Sequence, residues 1–507
     1  MTAAAAPAPA GRGASAASPE TAPSRTTTPT IGEALDLLAE RAPDAPAVRD
    51  EHEALTRAQL AARSRRLARH LIALGVREGD LVTVRGGNAV AFVVAVCAVH
   101  RAGGTPQPLG PRLPLEEQRA VVALAAPRAV LGASAADFPG RVVLPLDPPL
   151  EGVDDGPLPP LAAPSWKAPT SSGSTGRPKL VLAAAPARVD PDRRVAPFLP
   201  MAATQLVVGP LAHAAPFTYA FRGLTTGHAL VLLPRFDPGA VLDAIARHRI
   251  TWVLLVPTML HRILRLPPER VAAADLSSIE QVVHLGAPVD PALKRRWLTL
   301  LGPERLTEVY AGTESNGVLV IRGDEWLAHP GSVGRAADGT EVRVVDPAGR
   351  PVAPGVVGRV QLRRAGGPAY RYRGAPTPPP GTWDSLGDDG RLDEDGWLFL
   401  ADRGGDRIAR AGTSLYPAEV ERVLERHPAV RSALAVGVPD EDLERSVLAV
   451  VDVAGADQDG TALRAWANDR LDPAKRIDRI VVVHEPLRDD SGKARRRDWA
   501  GGGAPPP

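Results

Sequence analysis

Ser171-Ser172-Gly173-Ser174-Thr175-Gly176-Arg177-Pro178-Lys179-Leu180-Val181 is the stretch from which the rest of the chain can be read. Four hydroxyls, two glycines and two cations crowd its eleven residues, with almost nothing to fill a core. Glycines let successive backbone N–H groups turn toward one anion, and hydroxyls add further donors. Arg177 and Lys179 bring positive charge to the same place. The segment reads as a cradle for a polyphosphate, although its spacing is not that of the Walker G-x-x-x-x-G-K-[ST] loop. Taken alone, the same composition also suits a flexible surface turn.

The flanks alternate strand and helix. Helical spacing of apolar residues marks 31–43 and 57–75, with Leu60, Leu67, Leu71 and Leu74 on one face. Strand patterns fall at 81–84, 129–131, 142–146, 206–208 and 252–256, with helices at 89–99 and 239–248. This order predicts an α/β protein with largely parallel sheets. Two shorter alternating segments, 340–346 and 358–363, have no long helix between them and predict a small β-rich subdomain. After Asp402 the texture changes. Arg403-Gly404-Gly405-Asp406-Arg407 has the composition of a hinge. Beyond it, helices at 417–426 and 460–470 and strands at 431–438, 446–452 and 479–483 predict a compact α+β domain. The expected layout is a disordered lead (1–28), a large N-terminal domain of two α/β subdomains plus the β-rich one (29–402), a hinge (403–407), a small mobile domain (408–498) and a tail (499–507).

Composition narrows the class. Hydrophobic residues make up 44% and charged residues 23% of the 507, as in a soluble globular protein. A net charge of +2 gives no reason to expect a nucleic-acid or membrane partner. The single cysteine, Cys97, rules out a disulfide framework within the chain and any cysteine-rich metal site. It sits in an apolar run and reads as buried filler. Residues 1–28 are rich in Ala, Pro, Ser and Thr without an apolar core behind a basic start, so they read as disordered lead, not as a signal peptide. A cytoplasmic protein is expected.

Further polar clusters punctuate the pattern: Pro210-Leu211-Ala212-His213, Tyr310-Ala311-Gly312-Thr313-Glu314, Gly387-Asp388, Asp402-Arg403 and Ser491-Gly492-Lys493. In this order, with the turn at 171–181, they resemble the adenylate-forming superfamily of acyl-CoA synthetases, adenylation domains and firefly luciferase. The resemblance covers about residues 30–497. It is closest to the bile-acid and fatty-acid CoA ligase branch, carried by Ser165-Trp166-Lys167, Val256-Pro257-Thr258-Met259-Leu260, His284-Leu285-Gly286-Ala287-Pro288, the stretch from Glu325 to Arg335, and Tyr416-Pro417-Ala418-Glu419-Val420-Glu421.

The resemblance implies a two-step ligase with ATP, Mg²⁺ and CoA. A carboxylate attacks the α-phosphorus of ATP and expels pyrophosphate; the CoA thiol then displaces AMP from the acyl-adenylate. The first step needs no general base, because a carboxylic acid of pKa about 4 is ionised at neutral pH. Its obstacle is an anion approaching a polyanion, so cations and donors must stand ready. By resemblance Ser171, Ser172, Gly173, Ser174, Thr175, Gly176 and Lys179 hold the β- and γ-phosphates. Thr313 holds the α-phosphate, and Glu314 takes Mg²⁺, which prefers oxygen ligands. Tyr310 stacks on adenine, with Ala311, Gly312, Gly286, Ala287 and Pro288 around the nucleotide; Asp388 and Arg403 take the ribose. Lys493 bridges the acid and the α-phosphate as a compact charge on a flexible stem. His213 gates the acyl pocket, with Ala212, Ala214, Phe217 and His284 around it. Gly405 is the hinge about which the small domain turns, and Gly412 lines the pantetheine channel.

The chain departs from the family at several positions. Ala311 replaces the glycine of Tyr-Gly-x-Thr-Glu and is expected to face the nucleotide, which raises the alternative of an enzyme that only thioesterifies a preformed adenylate. Leu180 stands where glycine is usual. Gly355-Val356-Val357-Gly358-Arg359 lacks two acids, and Gly412-Thr413-Ser414 replaces Gly-Ala-Asn. Alanines flank His213 where the branch carries tyrosine and asparagine, which opens volume and suggests a bulky, polycyclic or terpenoid acid. A composition of the actinomycete kind fits a natural-product pathway, a diterpenoid antibiotic of the platensimycin type being one candidate. An acyl-AMP ligase that loads an acyl-carrier protein and a non-catalytic nucleotide- or acid-binding relative are the other readings. Monomer and homodimer both remain open.

Overall fold

The structure, a computed structural model, describes residues 27–171, 178–287, 289–403, 408–410, 413–415, 417–440, 444–455, 458–488 and 496–499. Local rules start its helices. Thr30 Oγ1 accepts from the Glu33 N–H while Glu33 Oε2 accepts from the Thr30 N–H, a reciprocal cap that opens the helix Ile31–Arg41. Thr56 and Gln59 do the same for Arg57–Ala73. Both helices turn an apolar stripe inward, Leu35 and Leu38 on the first, Leu60, Leu67 and Leu71 on the second. Val90–Arg101 is buried on nearly every side because it has no polar face. Cys97 lies within it, and burial pushes its thiol up to about 12, which leaves it inert as a nucleophile.

Two parallel sheets form the body. The smaller orders Thr105–Leu109, Leu81–Arg85, Ala129–Leu131 and Val143–Leu144. The larger contains the parallel run Pro46–Arg49, Ala229–Leu232, Thr204–Val207, Trp252–Leu255, Gln281–Leu285 and Leu306–Ala311. Parallel pairing demands crossovers, which Ala214–Leu224, Pro238–His248, Pro257–Ile263 and Pro291–Leu301 provide.

The expected β-rich segment continues the larger sheet. Val318–Arg322 turns back antiparallel on Leu306–Ala311, and Ser332–Ala337, Leu398–Arg403, Asp388–Leu392, Gly358–Arg364 and Thr340–Val345 follow it in the same large sheet. Antiparallel neighbours need only short turns, so the sheet grows without new helices. A register shift between Ser332 and Gly334 bends it. Gly334 adopts φ +109°, and a Cβ there would stand 2.3 Å from the Val320 carbonyl oxygen.

The C-terminal part combines the helices Pro417–Glu425 and Gly460–Asn468 with a sheet of Val430–Asp440, Glu444–Val453 and Arg479–Val483. Its core gathers Val420, Leu424, Ala435, Val447 and Ala449. Arg265 donates to the carbonyls of His427 (3.2 Å), Pro428 (2.7 Å) and Val430, and Arg426 pairs with Asp290 at 3.0 Å. Carbonyls past a helix C-terminus have no helical partner, so one guanidinium satisfies several at once. Among the described residues no helix is long and apolar enough to cross a membrane.

Candidate active site

Several of the expected residues, His213, Gly286, Ala287, Tyr310 and Glu314 among them, lie at or after the carboxyl ends of parallel strands, where open α/β sheets bind ligands. His213 follows Thr204–Val207 and is the N-cap of Ala214–Leu224, with extended backbone (φ −94°, ψ 150°) and no side-chain cap hydrogen bond. The loop before it is fixed by Asn88, a residue the motifs did not reveal. Asn88 Nδ2 donates to the carbonyls of Gly209 (3.0 Å) and Leu233 (2.9 Å), and its Oδ1 accepts from the Leu211 N–H (2.8 Å). Asn88→Ala would leave the buried Leu211 N–H and two part-buried carbonyls without this partner, so stability is expected to fall by about 1–3 kcal/mol. The KM for acid should rise more than that for ATP; thermal melting and separate titrations of the two substrates check this.

Ala212 and Ala214 are half-buried beside His213. Two other expected pocket residues face elsewhere. Phe217 is fully buried in the body's core, its ring 4.5 Å from Phe221 and 6.1 Å from Trp166. A helix turns about 100° per residue, so Tyr219, two positions on, points the opposite way. Tyr219 is half-buried and lies 5.8 Å from Phe198 and 6.0 Å from Trp252, ring to ring. His284 is also fully buried. Its Nε2 lies 3.7 Å from Glu308, itself bonded to Lys294, and burial drives the imidazole well below its ordinary pKa. Side chains alternate along a strand, so Leu285 is the residue that joins the Tyr219 cluster.

The same alternation places Ala311. Its methyl joins Val309, Leu285 and Tyr219, whereas Tyr310 packs with Leu386 and Leu400 on the other face. The methyl thus turns toward the expected acyl side and away from the expected nucleotide side. Tyr310 Oη donates to Asp388 Oδ2 at 2.6 Å, bringing the expected adenine and ribose residues into contact. Asp388 stands opposite Arg403 in the ladder of Asp388–Leu392 with Leu398–Arg403. Gly286, at φ +97°, and half-buried Ala287 follow the end of Gln281–Leu285.

Glu314 is the charged centre. Lys179 Nζ lies 3.2 Å from Glu314 Oε1, and Tyr372 Oη donates to the same oxygen at 2.7 Å. Lys179 also sits 3.8 Å above the Tyr372 ring. Burial and then the Glu314 carboxylate push the Tyr372 phenol up, so it remains a donor. Tyr372 was not legible in the motifs. Gly312 leaves room for this centre: a Cβ there would stand 2.4 Å from Leu386 Cδ2 and 3.3 Å from Glu314 Oε2. Thr313 is half-buried in the turn between them. Among the described residues no group of three or more acid, histidine or cysteine side chains could hold a metal ion. One partly open carboxylate is what Mg²⁺ needs when phosphates and water complete its shell, so Glu314 fits that ion. Tyr372→Phe is expected to lower pyrophosphate release several-fold at unchanged melting temperature, since one charge-assisted hydrogen bond is lost from a carboxylate that must stay aimed.

Ser171 pairs with Lys179 across the base of the expected phosphate turn. Ser172, Gly173, Ser174, Thr175, Gly176, Pro288, Gly405, Gly412 and Lys493 lie outside the described residues, as does the side chain of Arg403.

Residues 35–367 match the AMP-binding enzyme family, and residues 419–493 match the AMP-binding enzyme C-terminal domain. The chain is an AMP-binding enzyme. It is 34% identical over 469 residues to a feruloyl-CoA synthase from an Amycolatopsis species, covering 85% of this chain and 91% of that one. It is 30% identical to the fatty acid–[acyl-carrier-protein] ligase ScoC of Streptomyces coeruleorubidus, covering 92% and 95%. The structure of the amide bond synthetase McbA from Marinactinospora thermotolerans superposes with a TM-score of 0.76 at 30% identity, over 93% of this chain and 99% of that one. This AMP-binding enzyme therefore matches, over most of its length, proteins named as a CoA synthase, a fatty acid ligase and an amide bond synthetase.

Proposed function

We propose that the protein activates a carboxylic acid with ATP, releasing pyrophosphate, and transfers the acyl group from the adenylate to CoA, releasing AMP. The observation that carries this is the arrangement along one strand end. Tyr310 and Asp388 offer a ring face and a carboxylate suited to a nucleoside, and one turn later Lys179, Glu314 and Tyr372 offer charge suited to phosphates and a cation. Bound Mg²⁺ would neutralise phosphate charge beside Glu314. Lys179 would be released from its ion pair to meet a phosphate oxygen, and Tyr372 would keep the Glu314 carboxylate oriented. Lys493 would bridge the attacking carboxylate and the α-phosphate, with Thr313 donating to the latter. Small side chains at Ala212 and Ala214, with Tyr219, Leu285 and Ala311 forming an apolar wall, favour a bulky acid over acetate. Since Ala311 turns its methyl to that wall, the adenylation step keeps its nucleotide face, which argues against a thioesterification-only enzyme.

The test is a library of carboxylic acids incubated with ATP, Mg²⁺ and CoA, followed by mass spectrometry of thioesters and by pyrophosphate release. Failure of every acid to release pyrophosphate would end this reading. The relative that ligates fatty acids to a carrier protein supports one alternative, a carrier-borne phosphopantetheine as acceptor. Competition between CoA and a holo-carrier protein for the same adenylate separates the two.

A further inference from the structure

The helix Ala214–Leu224 has a face that the proposed chemistry leaves unused. Phe217, Ala220, Phe221 and Leu224 turn into the core, whereas Ala214, Thr218 and Arg222, spaced four apart, form a half-buried stripe that begins beside His213. Lys167, only 4% exposed, reaches this stripe from the segment just before the strand Thr170–Ser171, and its Nζ donates to Thr218 Oγ1 at 2.6 Å. The Thr218 hydroxyl spends its own proton on the Ala214 carbonyl, 2.6 Å away, so it can only accept from the lysine. Among the described residues the other two ammonium donors have no protein acceptor. The Arg222 guanidinium lies 4.2 Å over the Trp166 ring, and Lys167 Nζ lies 5.1 Å from the same ring.

Among the described residues neither cation has a carboxylate partner. The other titratable neighbour of Arg222, His100, is buried and held neutral: burial, then the Arg222 charge, drives it down to about 3. Glu314 is felt at Lys167 but makes its ion pair with Lys179. Burial first, and the Arg222 charge second, push Lys167 down to about 7, while burial pushes Arg222 down to about 10. Two desolvated cations at one indole, without an anion, carry a cost that an arriving anion would remove. Cation–π contact offsets little of it.

We propose that Lys167 and Arg222, with Thr218 between them, recognise a second anionic oxygen group, a distal carboxylate or phenolate, on the acid that the enzyme activates. The inference rests on the acid-activation reading and adds a substrate class to it. The stripe runs away from His213, where the reacting carboxylate belongs, and a rise of about 1.5 Å per residue places Thr218 about 8 Å and Arg222 about 13 Å along the axis. An acid of that length, charged at its far end, would bridge the two. A short acid would leave both cations bare. The phosphates of ATP are the other anions within the enzyme's reach, but Lys179, paired with Glu314 and set across from Ser171 at the base of the expected turn, is the cation placed for them.

The experiment compares matched acids, octanedioate with octanoate and 4-hydroxycinnamate with cinnamate, in wild type, Lys167→Met and Arg222→Met. The readouts are kcat/KM for pyrophosphate release and, independently of turnover, the shift in melting temperature each acid produces. Replacing a buried cation by an apolar isostere is commonly neutral or stabilising, so both variants should fold, and their own melting curves verify it. Wild type should favour the charged or hydroxylated member of at least one pair about tenfold or more, and each variant should lose about tenfold of that ratio, as expected for a lost charge-assisted contact. Equal use of both members by wild type, or an unchanged ratio in the variants, overturns the proposal. A variant whose KM for ATP rises while the acid ratio holds reassigns the cations to phosphate and likewise overturns it. If no acid is turned over, acid activation fails as a reading; a melting shift produced by octanedioate in wild type and lost in Lys167→Met would still support the anion site, and no shift would overturn it.

Discussion

Lys493→Ala is expected to slow pyrophosphate release about 10²–10³-fold while leaving thioester formation from a supplied acyl-adenylate little changed. The asymmetry follows from where charge concentrates. In the first step two anions, carboxylate and α-phosphate, must share a transition state, and an ammonium between them lowers that barrier directly. In the second step the adenylate already exists and a thiol attacks a carbonyl carbon, so the same ammonium has nothing comparable to stabilise. Lys493 itself lies outside the described residues, but both ends of its segment are held. Arg488 and Arg496 converge on the Glu421 carboxylate, at 3.1 and 2.5 Å, and Glu421 also accepts from the Ala435 N–H at 2.9 Å. Glu421 lies buried on the helix Pro417–Glu425, so the segment is tied to the core of the small domain and would travel with it. Lys493→Arg should rescue poorly, because a planar fork does not replace a compact point charge between two oxygens. Pyrophosphate exchange and a synthetic acyl-adenylate measure the two steps separately; equal losses in both would refute the assignment.

What could be read from the sequence depended on whether the chemistry was local. Ser171 and Lys179 could be singled out because the composition of the expected phosphate turn sits in one short stretch, and the structure pairs the two. The parallel sheets were legible because apolar periodicity switches between strand and helix along the chain. Which side of an element a motif residue faces was not. Phe217 and His284 stand inside recognisable motifs, yet helix rotation and strand alternation send them into the core and leave Tyr219 and Leu285 at the wall. Contacts between distant segments were equally hidden. Asn88 braces the His213 loop across 121 residues and Tyr372 meets Glu314 across 58, with no spacing rule to link either pair. The strands of the β-rich segment were legible, but short strands say only that a sheet is antiparallel, not which sheet they extend.

Glu314→Gln should cost about 10²–10³ in pyrophosphate release, with little loss of folded stability. The two halves of this expectation have separate causes. Gln keeps the length and one carbonyl oxygen, so Tyr372 Oη retains an acceptor where it now finds Glu314 Oε1 at 2.7 Å. The 3.2 Å pair with Lys179 is lost, but Lys179 keeps its place over the Tyr372 ring, and a part-exposed pair contributes only about 0–1 kcal/mol. Catalysis is affected differently. Mg²⁺ binds carboxylate far better than amide oxygen, so without the Glu314 carboxylate its hold in the site would fall to the phosphates. Lys179 no longer has a competing anion and should bind the phosphates more tightly in the ground state, which raises the barrier to pyrophosphate departure. The variant should therefore show a KM for ATP that falls or holds while kcat collapses, and raising Mg²⁺ should restore only part of the rate. A titration of rate against Mg²⁺ at saturating ATP checks this. If Glu314→Gln instead melts several degrees lower and keeps its kcat, the carboxylate is a structural partner of Lys179 and the metal is held elsewhere.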